Sequence, residues 1–149
     1  MREIKFRAWH ITSGMATFTM NDLYNFEAEG ARKSYVCFPD GDIHKLDDVE
    51  VMQFTGLYDK NGKEIYEGDI IVTEAYPFFD NQQPNYRGVV EWIYSQWQVV
   101  LHCVNVAKAG ISEGINQGLN DIGLDEGERF NDVLVIGNIY ENPELLEGK

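Results

Sequence analysis

The dipeptide Asn61-Gly62 most constrains what this chain can fold into. A two-residue type I′ turn needs positive φ at both central positions, and Asn and Gly tolerate it. The dipeptide therefore predicts a tight hairpin between strands at 54–58 and 63–66, where apolar and aromatic residues are separated by polar ones. Glu67-Gly68-Asp69 makes a second turn and launches Ile70-Ile71-Val72, a β-branched run that reads as a strand buried on both sides. Residues 52–72 organise the rest of the chain.

At the N-terminus, Ile4, Phe6 and Ala8 alternate with Glu3, Lys5 and Arg7, which predicts a strand with one wet face. Thr12-Ser13-Gly14 is a turn, and residues 15–20 return as the second strand of a hairpin. Residues 21–48 read as an excursion from the core. Within it, 27–33 has the composition of an exposed loop or frayed helix, and 35–38 is a short strand stopped by the turn Pro39-Asp40-Gly41. Residues 49–54 lead into the organising hairpin.

After Val72, residues 74–87 combine Pro77, Pro84 and an Asn81-Gln82-Gln83 run with four aromatic residues, the makings of a contact loop. Residues 88–94 and 97–106 are the most strand-like runs and form the central pair of a sheet. Five glycines punctuate residues 107–131, which read as an acidic loop, since each Gly costs a helix about 1 kcal/mol against Ala. Residues 130–140 form a last strand, and Asn142-Pro143-Glu144 has the order that starts a short C-terminal helix. Short strands at intervals near ten residues predict a mainly β fold, α+β with minor helix. Its form is a strongly bent antiparallel sheet or a partly open small SH3-like barrel, in one domain over 1–149.

Four segments carry a family likeness: Met1-Arg2-Glu3-Ile4-Lys5-Phe6-Arg7-Ala8-Trp9, residues 51–72, Gly88-Val89-Val90-Glu91-Trp92, and residues 135–146. Together they resemble the YopX family, a group of phage and prophage proteins found mainly in phages of Gram-positive bacteria. The resemblance implies an origin and a fold, and no reaction.

Composition narrows the function classes. Hydrophobic residues at 44% and aromatics at 13% suffice for a core. The net charge of −13, from 25 acidic and 12 basic residues, argues against direct binding to a phosphate backbone, which needs clustered Lys and Arg. Cys37 and Cys103 form no Cys-x-x-Cys pair and read as free buried thiols in a reducing compartment. No apolar run approaches the ~18 residues of a membrane span, which points to the cytoplasm of a bacterial host.

Few constellations suggest chemistry. Asp40, Asp42 and His44 fall at i, i+2 and i+4, so on an extended segment three metal-ligating side chains face one way. Against it, a turn after Pro39 contains the two aspartates for its own reasons. Gly110-Ile111-Ser112-Glu113-Gly114 matches a nucleophile elbow, but His10, His44 and His102 all precede the serine, against the order of α/β-hydrolases. Glu67 with Asp69, or Glu126 with Glu128, are acid pairs expected in any acidic chain. Trp9, Tyr66, Trp92, Tyr94 and Trp97 could build a stacking platform, although core packing is the simpler account.

The sequence therefore describes a non-catalytic module that binds a protein partner or self-associates, as a homo-oligomer, without cofactor or direct nucleic-acid contact. Two alternatives remain open. One is an acidic decoy, presenting residues 121–128 to the basic site of a nucleic-acid enzyme. The other is a metal-dependent enzyme using Asp40, Asp42 and His44.

Overall fold

A computed structural model describes residues 4–28, 30–73, 79–80, 83–84, 86–93, 96–103, 116–118 and 133–147. Among the described residues the fold is mainly β, in antiparallel sheets, with only short 3-10 turns. The chain divides into two compact units, Met1–Phe54 and Thr55–Lys149.

In the first unit β1 (Phe6–His10) pairs antiparallel with β2 (Gly14–Phe18), in the register Phe6↔Phe18 to His10↔Gly14 that the Thr12-Ser13-Gly14 turn predicts. The other edge of β1 pairs with the start of β6 (Glu50–Tyr58). A second sheet runs β3 (Tyr24–Ala28), β4 (Ala31–Cys37), β5 (Ile43–Lys45). The expected loop or frayed helix at 27–33 is instead the β3–β4 hairpin, because Gly30, at φ +77°, reverses the chain and allows Glu27 to face Arg32 across the ladder.

Residues 21–48 are no excursion, since Val36 and Phe38 join Ala8, Ala16 and Phe18 in one buried cluster. Nor is the second face of β1 wet throughout. Arg7 is buried, with its Nε donating to Met52 Sδ at 3.4 Å, as the pairing of Arg7 with Met52 across the ladder permits. Cys37 is exposed, because it alternates with buried Val36 and so takes the outer face of β4.

The second unit opens with the rest of β6 and β7 (Glu64–Tyr66), joined through the organising turn. The turn differs from the two-residue type expected. Gly62 N–H donates to Asp59 O at 2.9 Å, so Lys60 and Asn61 are the central residues, and Gly62 follows with φ +81°. Asp59 N–H then donates to Lys63 O at 2.8 Å, closing a three-residue loop with a glycine bulge. Asp59 explains the change, since its Oδ1 accepts from both Asn61 N–H and Lys63 N–H at 2.9 Å.

A five-stranded sheet follows in the order β13-β12-β11-β8-β14, formed by β8 (Asp69–Thr73), β11 (Tyr86–Ile93), β12 (Gln96–Cys103), β13 (Asn116–Gly118) and β14 (Val133–Asn138). Ile70 and Ile71 of β8 are fully buried, as their unbroken β-branched run predicts, while β11 and β12 pair from Tyr86↔Cys103 to Ile93↔Gln96. Part of the expected acidic loop is thus strand, at 116–118, and the remainder of 107–131 lies outside the described residues. A small ladder joins β9 (Phe79–Asp80) to β10 (Gln83–Pro84).

The C-terminal helix is a single 3-10 turn, Pro143–Leu146. Asn142 does not cap it. Its Oδ1 instead accepts from Asn138 N–H at 3.3 Å, packed so closely that a Cβ on Gly137 would lie 2.5 Å from that oxygen.

Buried polar groups tie the unit together. Asp59 Oδ2 accepts from Val135 N–H at 3.1 Å, linking positions 76 apart, and Lys60 N–H donates to Val133 O at 2.9 Å. Asp69 Oδ2 accepts from Tyr66 N–H at 2.8 Å, and Thr55 Oγ1 donates to Ile65 O at 2.7 Å. A buried donor stripped of its acceptor bears its desolvation cost in full, so Asp59→Ala is expected to destabilise the protein by about 3 kcal/mol. Urea unfolding of the two proteins checks this: a loss of under about 1 kcal/mol would show that water replaces the carboxylate.

Candidate functional site

The turn after β4 is built by hydrogen bonds that its residues dictate. Phe38 N–H donates to Asp42 O, Gly41 N–H to Phe38 O, and Asp42 N–H to Asp40 Oδ1 at 3.0 Å, with Gly41 at φ +91°. Asp40 and Asp42 are exposed at this turn, and His44 is half-buried on β5. Among the described residues, no group of three or more His, Cys, Asp and Glu side chains is placed to hold a metal ion.

What the fold brings to His44 comes from the β1–β2 turn. The His44 ring stacks on His10, with centroids 3.6 Å apart and planes 16° from parallel, and Phe38 meets it edge-on at 5.1 Å. Ser13 Oγ lies 2.7 Å from His44 Nε2. His10 Nδ1 accepts from Thr12 N–H at 3.3 Å, which leaves the neutral ring its proton on Nε2. No sequence spacing announces this cluster, because 31 positions separate Ser13 from His44.

Two carboxyls in this unit sit below the usual carboxylate range. For Asp40 the causes are the Asp42 N–H, the Ser13 hydroxyl and the nearby His44 charge, in that order, partly opposed by desolvation. For Asp22 they are the Thr19 backbone N–H and the Thr19 hydroxyl, whose bonds measure 2.7 and 2.8 Å.

The other readings divide. Tyr66 is buried, and its hydroxyl donates to Glu64 Oε2 at 2.8 Å, which suits core packing, whereas Trp92 is 54% exposed. Tyr94 and the side chain of Trp97 lie outside the described residues, as do Gly110 to Gly114 and 121–128. The Glu67–Asp69 pair is divided in role, since Asp69 is buried and holds the Tyr66 N–H.

A surface that the sequence reading missed is the outward face of β3–β4–β5. The register places Tyr24 opposite Tyr35, Phe26 opposite Lys33, and Tyr35 opposite Lys45, so these side chains share one face. Tyr24 is 49% exposed, Phe26 52% and Ile43 49%. Phe26 and Tyr35 meet edge-on at 5.4 Å. At one end, between Thr17, Leu23, Tyr24 and Cys37, a cleft of about 350 Å³ opens. The signal lay in the alternation Tyr24-x-Phe26 and Lys33-x-Tyr35 about Gly30, which the loop composition of 27–33 concealed.

The folded-state depression of Asp40 fixes the sign of its pH dependence. A carboxyl held below its unfolded value adds stability above the unfolded pKa, and that contribution disappears as pH falls through the folded value. Asp40→Asn is expected to lower the melting temperature near neutrality, the difference narrowing as pH drops below about 4. Thermal unfolding across that range checks it; a constant difference would refute the assignment.

Among curated proteins none matches the chain. A solved structure, the crystal structure of protein EF1440 from Enterococcus faecalis, aligns over 99% of this chain and 100% of its own, at 26% identity and a TM-score of 0.53. The sequence pattern described as YopX protein matches residues 5–147, nearly end to end. The chain belongs to the YopX family.

Proposed function

We propose that this protein is a phage- or prophage-encoded accessory factor that works in the bacterial cytoplasm as a non-catalytic module, docking a protein or a second copy of itself. The observation that carries the reading is the outer edge of β3, which has no ladder partner among the described residues and bears exposed Tyr24 and Phe26. An open strand edge presents unpaired backbone N–H and C=O groups, and alternate side chains supply the contacts that select a partner. Family membership supports a phage origin. Among the described residues no helix is long and apolar enough to cross a membrane.

Affinity capture from bacterial host lysate, with light scattering of the purified protein alongside, tests this. A specific co-purifying protein or a discrete homo-oligomer is expected, and Phe26→Asp should weaken either by at least tenfold, since aromatic anchors carry much of an interface's affinity. A monomer that captures nothing in its host would overturn the reading. Capture of a nucleic-acid enzyme that leaves at high salt and is indifferent to Phe26→Asp would favour the acidic-decoy alternative.

A further inference from the structure

We propose that the outward face of the β3–β4–β5 sheet binds a single strand of nucleic acid, a function beyond docking at the β3 edge. Two requirements of such a surface meet on this face. Bases need aromatic faces to stack on, and the phosphates between them need cations. Tyr35 stands at the centre, with Tyr24 across the ladder on β3 and Lys45 across it on β5. Lys33 lies two residues before Tyr35 on the same strand, about 6.6 Å along it. By register one lysine neighbours the half-buried Tyr35 along its strand and the other across the ladder, so the phosphates of a base stacked there meet a cation on either side.

The net charge of the whole chain argues the other way, but it is unevenly divided. Residues 1–54 carry six Lys and Arg against nine Asp and Glu, a net −3, whereas 55–149 carry six against sixteen, a net −10. Among the described residues the face itself holds two lysines and no carboxylate, because Asn25, Glu27, Arg32 and Ser34 alternate to the other side with buried Val36. Neither Lys33 nor Lys45 is in an ion pair among the described residues. At physiological ionic strength exposed charges beyond about 8 Å are largely screened, so the local sign governs contact.

A duplex cannot use this surface, since its bases present no free π-face. An acidic polypeptide could meet the lysines, yet it has no planar rings at every repeat to match the aromatics. The combination favours an unpaired strand, read without sequence preference.

Fluorescence anisotropy of the full-length protein with a labelled oligothymidylate of about 20 nucleotides tests the proposal. Saturable binding is expected, poorly competed by duplex DNA of equal length. Two phosphate contacts on a single strand give a slope of log K against log salt of about −1.4. Tyr35→Ala should weaken binding about tenfold or more. The double change of half-buried Lys33→Glu with exposed Lys45→Glu should abolish it, with an unaltered circular dichroism spectrum; this variant carries the test if Tyr35→Ala fails to fold. No binding at low salt, or binding indifferent to the lysine changes, would overturn the proposal. So would polyglutamate occupying the face, by displacement of a dye placed on Cys37, where oligothymidylate does not; that result would assign it to an acidic polypeptide.

Discussion

The Asp59 carboxylate is the constraint on which the second unit depends. One oxygen shapes the organising turn by accepting from Asn61 and Lys63, and the other reaches Val135 in the last strand. A buried carboxylate is tolerable only when hydrogen bonds replace its water, and here backbone N–H groups do so from two distant segments. The hairpin and β14 are thereby fixed against each other. Their register sets β8 between β14 and β11, which buries Ile70 and Ile71.

The same logic runs through residues 51–72 and 135–146, two of the four segments that carry the family resemblance. Thr55, Asp59, Asp69 and Asn138 each hold backbone groups, while Gly62 and Gly68 supply left-handed turns at φ +81° and +79°. These are the needs of a fold, and none of them is a need of a reaction. Chemistry-bearing side chains gather instead in the first unit, where His10, Ser13, Asp40 and His44 meet around Phe38. Ser13 Oγ meets His44 Nε2 and the two imidazoles stack, so the cluster ties the β1–β2 turn to β5.

The first unit divides its second sheet between two duties. Val36 faces inward and joins a core with Phe18 and Ala8, while Tyr35 and Cys37, one position away on either side, face outward. Strand alternation makes both faces from one segment. The inner face supplies the apolar burial that holds the sheet in place; the outer face is then free to be aromatic and basic.

Turns and strands were legible in the sequence where neighbours alone decide them. Asn61-Gly62, Thr12-Ser13-Gly14 and Pro39-Asp40-Gly41 all reverse the chain, and Ile70 and Ile71 of the β-branched run are buried in a strand. Local readings failed where a side chain or a distant strand intervened. Asp59 converted a two-residue turn into a three-residue one, Arg7 found Met52 in place of solvent, and residues 27–33 became a hairpin edge because β4 had β5 to pair with. Of the candidate site, the sequence named Asp40 and His44 but could not join them to Ser13 and His10. Backbone preference is written in adjacent residues and so determined where this chain turns and extends. Which side chains meet is decided by register and packing across long loops, and only the tertiary structure could bring 13 to 44, or 59 to 135.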